Sequence, residues 1–332
     1  MSGAKRKRKQ NKKKFSWETL KKLPTAFTVI LLAAVFILGV LHEMGKIDLS
    51  KYFGGQAVSE SVQVPEGYEK SEARVHFIDV GQGDSIFIET TGKTILIDAG
   101  EREYGEKVTE YISALGVKKI DIVIGTHPHS DHIGGLPQVL NSIEAGMIIL
   151  PKIPDDMVPA TKTYEQLLTV IANKQIRAVM ASDTLRFDWS DSAGEKLSFE
   201  ILGPLSDEYT ELNNFSVVSK LTYKDVSFLF TGDAEKAAEE DMLYYDKDVS
   251  ATVLKMGHHG SSGSSSAAFL REVSPLAAVI QCGEGNSYGH PHDEALKRIG
   301  KYTERIYRTD ERGTVVVYTD GTTAVAGFER AS

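Results

Sequence analysis

A chain of 332 residues with a single cysteine, Cys282, excludes an intramolecular disulfide framework. Cys282 follows the apolar Ala277-Ala278-Val279-Ile280 and reads as a buried strand-end thiol, with no histidine pairing that suggests thiol catalysis. The formal charge is −8, and it is unevenly placed. The first 22 residues hold ten Lys or Arg against Glu18 alone, a charge of +9, which leaves −17 on the remaining 310. That balance argues against sequence-independent binding of a polyanion by the body of the chain. No solenoid repeat is present, and low complexity is confined to the basic N-terminus and Ser261–Ser266.

In chain order, residues 1–24 form a basic tail, and Thr25 to Leu41 is an apolar run of 17 residues without charge. At 1.5 Å per residue such a run is near the lower limit for a hydrocarbon core of about 30 Å. It predicts one N-terminal transmembrane helix over 25–41. The positive flank keeps the N-terminus cytoplasmic and places the rest outside, a single-pass protein of the cell membrane. A cleaved secretory signal is the competing reading, but the run exceeds a typical h-region and Leu41-His42-Glu43-Met44 has no small-residue cleavage site. A basic nucleic-acid-binding arm followed by a buried helix is a third reading. Residues 42–71, with Gly54-Gly55 and Pro65, read as a linker. The body, 72–332, is large enough to stabilise itself by burial.

Within it, short apolar runs predict strands over 74–80, 85–90 and 94–98, the last two joined by a turn at Thr91-Gly92-Lys93. Glu106 to Leu115 has helical spacing and ends at Gly116, and Asp121 to Thr126 returns to strand. Strands and helices alternate through 136–175, and 185–187 and 197–202 restore β pattern. The second half predicts strands at 216–223, 226–231, 250–256, 276–281, 305–308, 313–319 and 322–328, with helices at 234–245, 265–273 and 293–303. Periodicity alone gives an α/β class.

The chemistry concentrates in Thr126-His127-Pro128-His129-Ser130-Asp131-His132-Ile133-Gly134-Gly135, three imidazoles and a carboxylate within six positions after an apolar run. Imidazole and carboxylate are the ligands borderline cations such as Zn²⁺ or Mn²⁺ prefer. A polar loop whose histidines merely cap backbone groups is the alternative. His127 and His129 can face one ion, and Asp131 and His132 a neighbour.

This string resembles the His-x-His-x-Asp-His signature of the metallo-β-lactamase fold. Val75-His76-Phe77-Ile78-Asp79-Val80-Gly81-Gln82-Gly83-Asp84-Ser85 is similar to the opening strand of one branch, the C-terminal domain of the competence protein ComEC and its free-standing relatives. The resemblance implies an αββα sandwich with one or two Zn²⁺ or Mn²⁺ per chain. It further implies that Asp233, in Phe228-Leu229-Phe230-Thr231-Gly232-Asp233, bridges two ions. In Lys255-Met256-Gly257-His258-His259-Gly260 it favours His259 as the last ligand, leaving His258 as a catalytic or substrate-side group. Where many members carry a further histidine this chain has Asn213-Asn214-Phe215-Ser216, so Asn213 or Asn214 would complete the His127/His129 ion, and an amide oxygen is the weaker ligand. A turn with both side chains bonding their own backbone is the plainer reading of that pair. Asp79 and Asp84 would orient ligands and loop, and His290 and His292, in Tyr288-Gly289-His290-Pro291-His292, lie near the site in this branch. Asp131 becomes a general base if one ion binds. The implied activity is metal-dependent hydrolysis of a phosphodiester, with DNA as a candidate substrate and cell-wall polymers or phosphocholine esters as alternatives. A non-catalytic scaffold is the competing class. Lys297, Arg298, Lys301, Arg305, Arg308 and Arg312 form the one local basic run that would serve a nucleic acid, and a solvated helix face explains it equally.

Overall fold

The computed structural model describes residues 62–330, so the basic tail, the anchor and most of the linker lie outside the described residues. Among the described residues no helix is long and apolar enough to cross a membrane. Strands β1 (Ala73–Phe77), β2 (Ile86–Thr90) and β3 (Lys93–Ile97) form an antiparallel meander. Its second turn places Gly92 at φ +97, a backbone region that glycine enters without a Cβ penalty. Helix α1 (Gly105–Ala114) carries the chain to β4 (Lys119–Ile124), parallel to β3. The short α2 (Ser130–Ile133) and α3 (Leu136–Ser142) lead to β5 (Glu144–Leu150), and α4 (Lys162–Asn173) leads to β6 (Arg177–Met180).

The second half builds another sheet from β7 (Arg186–Ser190), β8 (Lys196–Ile201), β9 (Ser219–Tyr223), β10 (Val226–Phe230), β11 (Val253–Lys255), β12 (Ala277–Ile280) and β13 (Ile306–Arg308). Helices α5 (Lys236–Tyr244), α6 (Ala267–Val273) and α7 (Asp293–Ile299) connect its parallel strands. After the one-turn α8 (Thr309–Arg312), β14 (Val315–Thr319) and β15 (Ala324–Phe328) return to the first sheet beside β1. The sheet orders are β15-β14-β1-β2-β3-β4-β5-β6 and β13-β12-β11-β10-β9-β8-β7.

Both faces of the central strands of both sheets are buried. Val75, Phe77, Ile88 and Ile97 from one sheet meet Phe199, Leu221, Phe228 and Phe230 from the other in a shared inner core. On the outer faces Val108, Ile112 and Leu167 of α1 and α4 cover Leu96 and Val123, while Met242, Phe269 and Ile299 of α5, α6 and α7 cover Leu229 and Leu254. Such strands read as continuous apolar runs, Ile95-Leu96-Ile97 or Ile122-Val123-Ile124, because no residue of them faces water. The result is a four-layer αββα sandwich.

The strands expected from sequence are present, and several stop early: β1 at Phe77 instead of 80, β4 at Ile124 instead of 126, β11 at Lys255 instead of 256. The residues beyond these ends remain buried (Ile78, Thr126, Met256) yet leave the ladder. The helix expected over 293–303 ends at Ile299, with Gly300 as its C-cap. The sequence reading also passed over α8.

Replacing Phe228, fully buried between the sheets, by alanine is expected to destabilise the fold by roughly 3–5 kcal/mol. Leu276→Ala, at a side chain 63% exposed, should shift stability by less than about 0.5 kcal/mol. Denaturant midpoints of the two variants check the contrast.

Candidate metal centre

In each sheet the strands that lead into the chemistry run in one direction. β1, β3 and β4 are mutually parallel in the first sheet, and β10, β11 and β12 in the second. Their C-terminal ends therefore open onto one rim. The β4 exit carries Thr126 to His132, the β10 exit Asp233, the β11 exit His258 and His259, and the β12 exit Gln281 and Cys282.

Asp98, at the end of β3 and fully buried, organises the first group. It accepts from the Thr126 N–H at 2.8 Å and the Thr126 hydroxyl at 2.5 Å, and it holds His132 Nδ1 at 2.8 Å. That fixes the His132 ring with Nε2 directed at Asp233 Oδ1, 3.2 Å away. His259 is fixed likewise: its Nδ1 donates to the Gln281 carbonyl at 3.0 Å, and its Nε2 lies 3.3 Å from Asp131 Oδ2 and 3.5 Å from Asp233 Oδ2. The Gln281 amide in turn donates to the Ile78 and Ser85 carbonyls at 3.0 and 2.9 Å, tying the β12 exit to the β1–β2 loop. His127 Nε2 lies 3.8 Å from Asp233 Oδ2 and 2.9 Å from His129 Nδ1, with Ser216 Oγ 3.3 Å from its Nδ1. His127, His129, Asp131, His132, Asp233 and His259 are thus brought together.

The donor set fits a cation. His132 Nε2, His259 Nε2 and Asp233 Oδ1 are buried without a hydrogen-bond partner, and orphaned buried lone pairs are rare unless something else satisfies them. Ligand atoms of Asp84, His132, Asp233 and His259 all lie within 4.8 Å of one another. Asp84 nevertheless sits behind the cluster. Its Oδ2 pairs with the buried Lys255 ammonium at 2.8 Å and its Oδ1 faces His259 Nδ1 at 3.3 Å, on the side of the ring away from Asp131. It orients His259 and offsets Lys255.

The remaining sequence candidates divide. His258 Nδ1 lies against Glu235 Oε1 at 3.0 Å, with its Nε2 3.7 Å from Asp233 Oδ2. Asn213 donates to Glu235 Oε1 at 3.2 Å and keeps a buried, unpartnered Oδ1. Asn214 is not brought to the cluster. Its Oδ1 accepts from the N–H groups of Glu235 and Ala238 at 3.1 and 3.2 Å and so caps α5, whose own N-cap residue supplies no side-chain bond. His290 joins the cleft wall, its Nδ1 3.5 Å from the Gln82 amide. His292 instead clips two loops, accepting from the Ser262 N–H at 3.0 Å and lying 3.2 Å from the Tyr288 carbonyl. Asp79 faces away from the cluster, paired with Arg330 at 3.0 Å and accepting from the Gly81 N–H at 3.1 Å. Sequence reasoning passed over Asp98, Glu235, Lys255 and Gln281. Only Asp98 left a local signal, an acid ending the apolar Ile95-Leu96-Ile97 before Ala99-Gly100.

Burial opposes every charge here, and the groups answer one another. Burial pushes the Asp233 carboxyl up, but His132 and His259 together hold it well below the usual carboxylate range. Burial also raises Asp131, and His132 and His259 bring it to a net lowering. His132 and His259 resist burial and lie well above the usual histidine range, chiefly through Asp233. Asp98 is raised, burial outweighing His132 and the Thr126 bonds. Burial pushes His290 down to about 4 and the Cys282 thiol up to about 12. His258 and His259 adopt left-handed backbone, φ 48 and 54, which places roughly 1–3 kcal/mol of strain at each of these non-glycine positions.

Residues 78–284 match the Metallo-beta-lactamase superfamily, and the chain belongs to that superfamily. More narrowly, it is related to the ComEC competence proteins. It is similar to ComE operon protein 3 of Bacillus subtilis, 32% identical over 265 residues that cover 74% of this chain and 33% of that protein. Competence protein ComA of Neisseria gonorrhoeae is 30% identical over 253 residues, 76% of this chain and 33% of that protein. A stretch of 59 residues, 18% of each chain, is 42% identical to Ribonuclease Z of Clostridium perfringens. The chain spans about a third of the length of the two competence relatives.

Three variants separate ligand from scaffold. His132→Ala should remove most bound metal, measured by elemental analysis after gel filtration. Asn214→Ala should leave metal content unchanged and lower stability by about 1 kcal/mol through the lost cap. Gly83→Ala would set a Cβ 2.2 Å from the Asp131 carbonyl oxygen at φ +139, so metal content should fall although Gly83 supplies no ligand.

Proposed function

We propose that this chain is a metal-dependent phosphodiesterase that cleaves nucleic acid, tethered to the membrane by residues 25–41 with its hydrolase domain outside. The observation that carries the reading is the convergence of unpartnered His132, His259 and Asp233 atoms beside a cleft of about 320 Å³ that Asp233 and His259 line together with His129, Asp131 and His258. The 59-residue likeness to a relative named as a ribonuclease supports phosphodiester chemistry over amide or β-lactam hydrolysis.

His132, His259, Asp131 and Asp233 would hold one Zn²⁺ or Mn²⁺, and His127, His129 and Asp233 with Asn213 Oδ1 a second. A bound ion of this kind lowers the pKa of water toward 7 and polarises a phosphoryl oxygen. The chain's own groups do the rest. Asp131, its carboxyl held low by His132 and His259, stays ionised at neutral pH and suits a ligand better than a general base. Glu235 fixes the His258 ring so that Nε2 faces the cleft, where a proton passes to the leaving oxygen. Asn213, bonded to the same Glu235 oxygen, keeps that carboxylate in place.

The basic run at 297–312 is dispersed by the fold. Arg298 donates to the Ser262 and Ser264 carbonyls at 2.9 and 2.8 Å, and Arg308 pairs with Asp310 at 2.5 Å and Glu311 at 3.0 Å. Arg305 lies in a different hollow, beside Leu276 and Tyr307. Lys297 and Lys301 stay exposed, but with Arg298 and Arg308 engaged the run offers few free cations to a duplex backbone, and binding should rest on few phosphate contacts.

One preparation tested on single-stranded DNA, RNA, bis-p-nitrophenyl phosphate, p-nitrophenyl phosphorylcholine and a β-lactam, with Mn²⁺ or Zn²⁺, decides the substrate class. Cleavage of the nucleic acids, lost in His132→Ala and reduced at least about a hundredfold in His258→Ala, is the expected outcome. Turnover of the choline ester alone would redirect the reading to wall polymers, and a chain that binds metal but hydrolyses nothing would be a scaffold. For topology, protease added to intact cells or spheroplasts should remove the domain, and full protection with the cells intact would reverse the orientation.

A further inference from the structure

The loop that follows β12 carries a tyrosine with no role so far. Tyr288 is 65% exposed, at the mouth of the cleft that Asp131, Asp233 and His259 line. Leaving a large ring in water forgoes burial, and here the backbone beneath the ring is firmly built. Asn286 Oδ1 accepts from the N–H groups of Tyr288 and His290 at 3.2 and 3.0 Å, and its Nδ2 donates to the Gly283 and His290 carbonyls at 2.9 and 2.6 Å. His292 fastens the Tyr288 carbonyl from the other side at 3.2 Å. Gly285 and Gly289, at φ +63 and +75, allow the tight path.

The ring sits on His290 with centroids 5.7 Å apart and planes only 18° from parallel. His290 packs edge-on against His258 at 5.4 Å. A short stack of rings therefore runs outward from the metal-binding wall and finishes in a tyrosine face open to solvent. We infer that Tyr288 is a stacking platform for an unpaired nucleobase next to the scissile phosphodiester, which deepens the phosphodiesterase reading and rests on it.

A single flat face suits a planar base. A quaternary ammonium is held instead by several rings arranged as a cage, whereas the rings beside Tyr288 line up in a row, His290 near-parallel to it and His258 edge-on beyond. A base inside a duplex has both faces covered by its neighbours, so the platform selects single strands and frayed ends. Stacking of this kind accepts any base, and it supplies affinity without arginine or lysine, consistent with the engaged state of Arg298 and Arg308.

The test uses the full-length, metal-loaded protein and two fluorescent ten-nucleotide strands, oligothymidylate and an abasic deoxyribose-phosphate strand of equal charge. Equilibrium anisotropy and cleavage are measured for wild type, Tyr288→Ala and Tyr288→Phe. The wild type should bind the thymidylate roughly tenfold more tightly than the abasic strand, and Tyr288→Ala should remove that preference while Tyr288→Phe keeps it. Equal binding of both strands by wild type overturns the platform, and their cleavage would still leave the phosphodiesterase reading standing. A tenfold preference without cleavage of either strand would remove the hydrolytic reading, and with it the scissile phosphodiester beside the ring, and would leave Tyr288 as a base-binding group only. If Tyr288→Ala instead loses turnover of p-nitrophenyl phosphorylcholine and keeps the thymidylate preference, the ring belongs to a quaternary ammonium site and the inference fails.

Discussion

Three fully buried carboxylates, Asp84, Asp98 and Asp233, meet at the seam between the two sheets, and little else in the structure makes sense without them. An isolated carboxylate removed from water is so unfavourable that it must be neutralised or paired. Each has an answer in place. Lys255, itself fully buried, offsets Asp84, His132 offsets Asp98, and Asp233 is left between His132 and His259 with an oxygen no hydrogen bond reaches. Removing one member of such a set typically destabilises by 3–5 kcal/mol. The arrangement is therefore an electrostatic hole that the Lys255 ammonium fills in part, and the atoms left without a hydrogen bond are histidine nitrogen and carboxylate oxygen, the donors a divalent ion takes.

The same constraint explains why the strands end where they do. A residue in a ladder has its side chain fixed to one face of the sheet, inner or outer, by the pleat. Ligands aimed along the strand axis, out of the sheet's end, must leave the ladder first. Asp98 at φ 57 and the left-handed pair His258-His259 do so abruptly. Strain there persists because neighbours overdetermine it: the His258 N–H donates to the Gly232 carbonyl at 3.1 Å, and His259 is held by Gln281. Gly260 at φ +82 then passes under Pro291, whose Cβ a side chain would meet at 2.6 Å.

How much of this the sequence disclosed follows from where each group's partner lies. His127, His129, Asp131 and His132 are local to one loop, so a motif exposes them, and the strand runs around Asp233 and His259 give those residues a recognisable position. The α/β class was legible because the two-sided burial of Ile95 to Ile97 and Ile122 to Ile124 leaves a distinctive apolar signature, whereas the αββα layering came from the family resemblance alone. Asp98, Glu235, Lys255 and Gln281 act through partners 28 or more, 22 to 23, 171 and 22 positions away respectively, and no local pattern encodes which residues so far apart in sequence will meet. Asn213 and Asn214 show the limit most clearly. Adjacent and chemically identical, they part company because the chain turns between them in a 3-10 element, Leu212–Phe215, which aims one amide at Glu235 beside the cleft and the other at the start of α5.

The charge of the body and the proposed substrate stand opposed, since nucleic acid is a polyanion and 310 residues carry −17. The conflict eases once the sources of positive potential are separated. A nuclease that grips long duplex needs a lattice of Lys and Arg, and its affinity then falls steeply with salt. A site that takes one unpaired strand end needs local cations only at the scissile phosphate, which divalent ions held by this histidine and carboxylate cluster would supply, and a neutral surface to hold the adjacent base. The acidic exterior then disfavours the duplex lying across the domain and leaves the strand end as the part that enters. On this account Asp233 and Tyr288 divide the work: the first sets the charge at the phosphate, and the second lends affinity that salt does not screen.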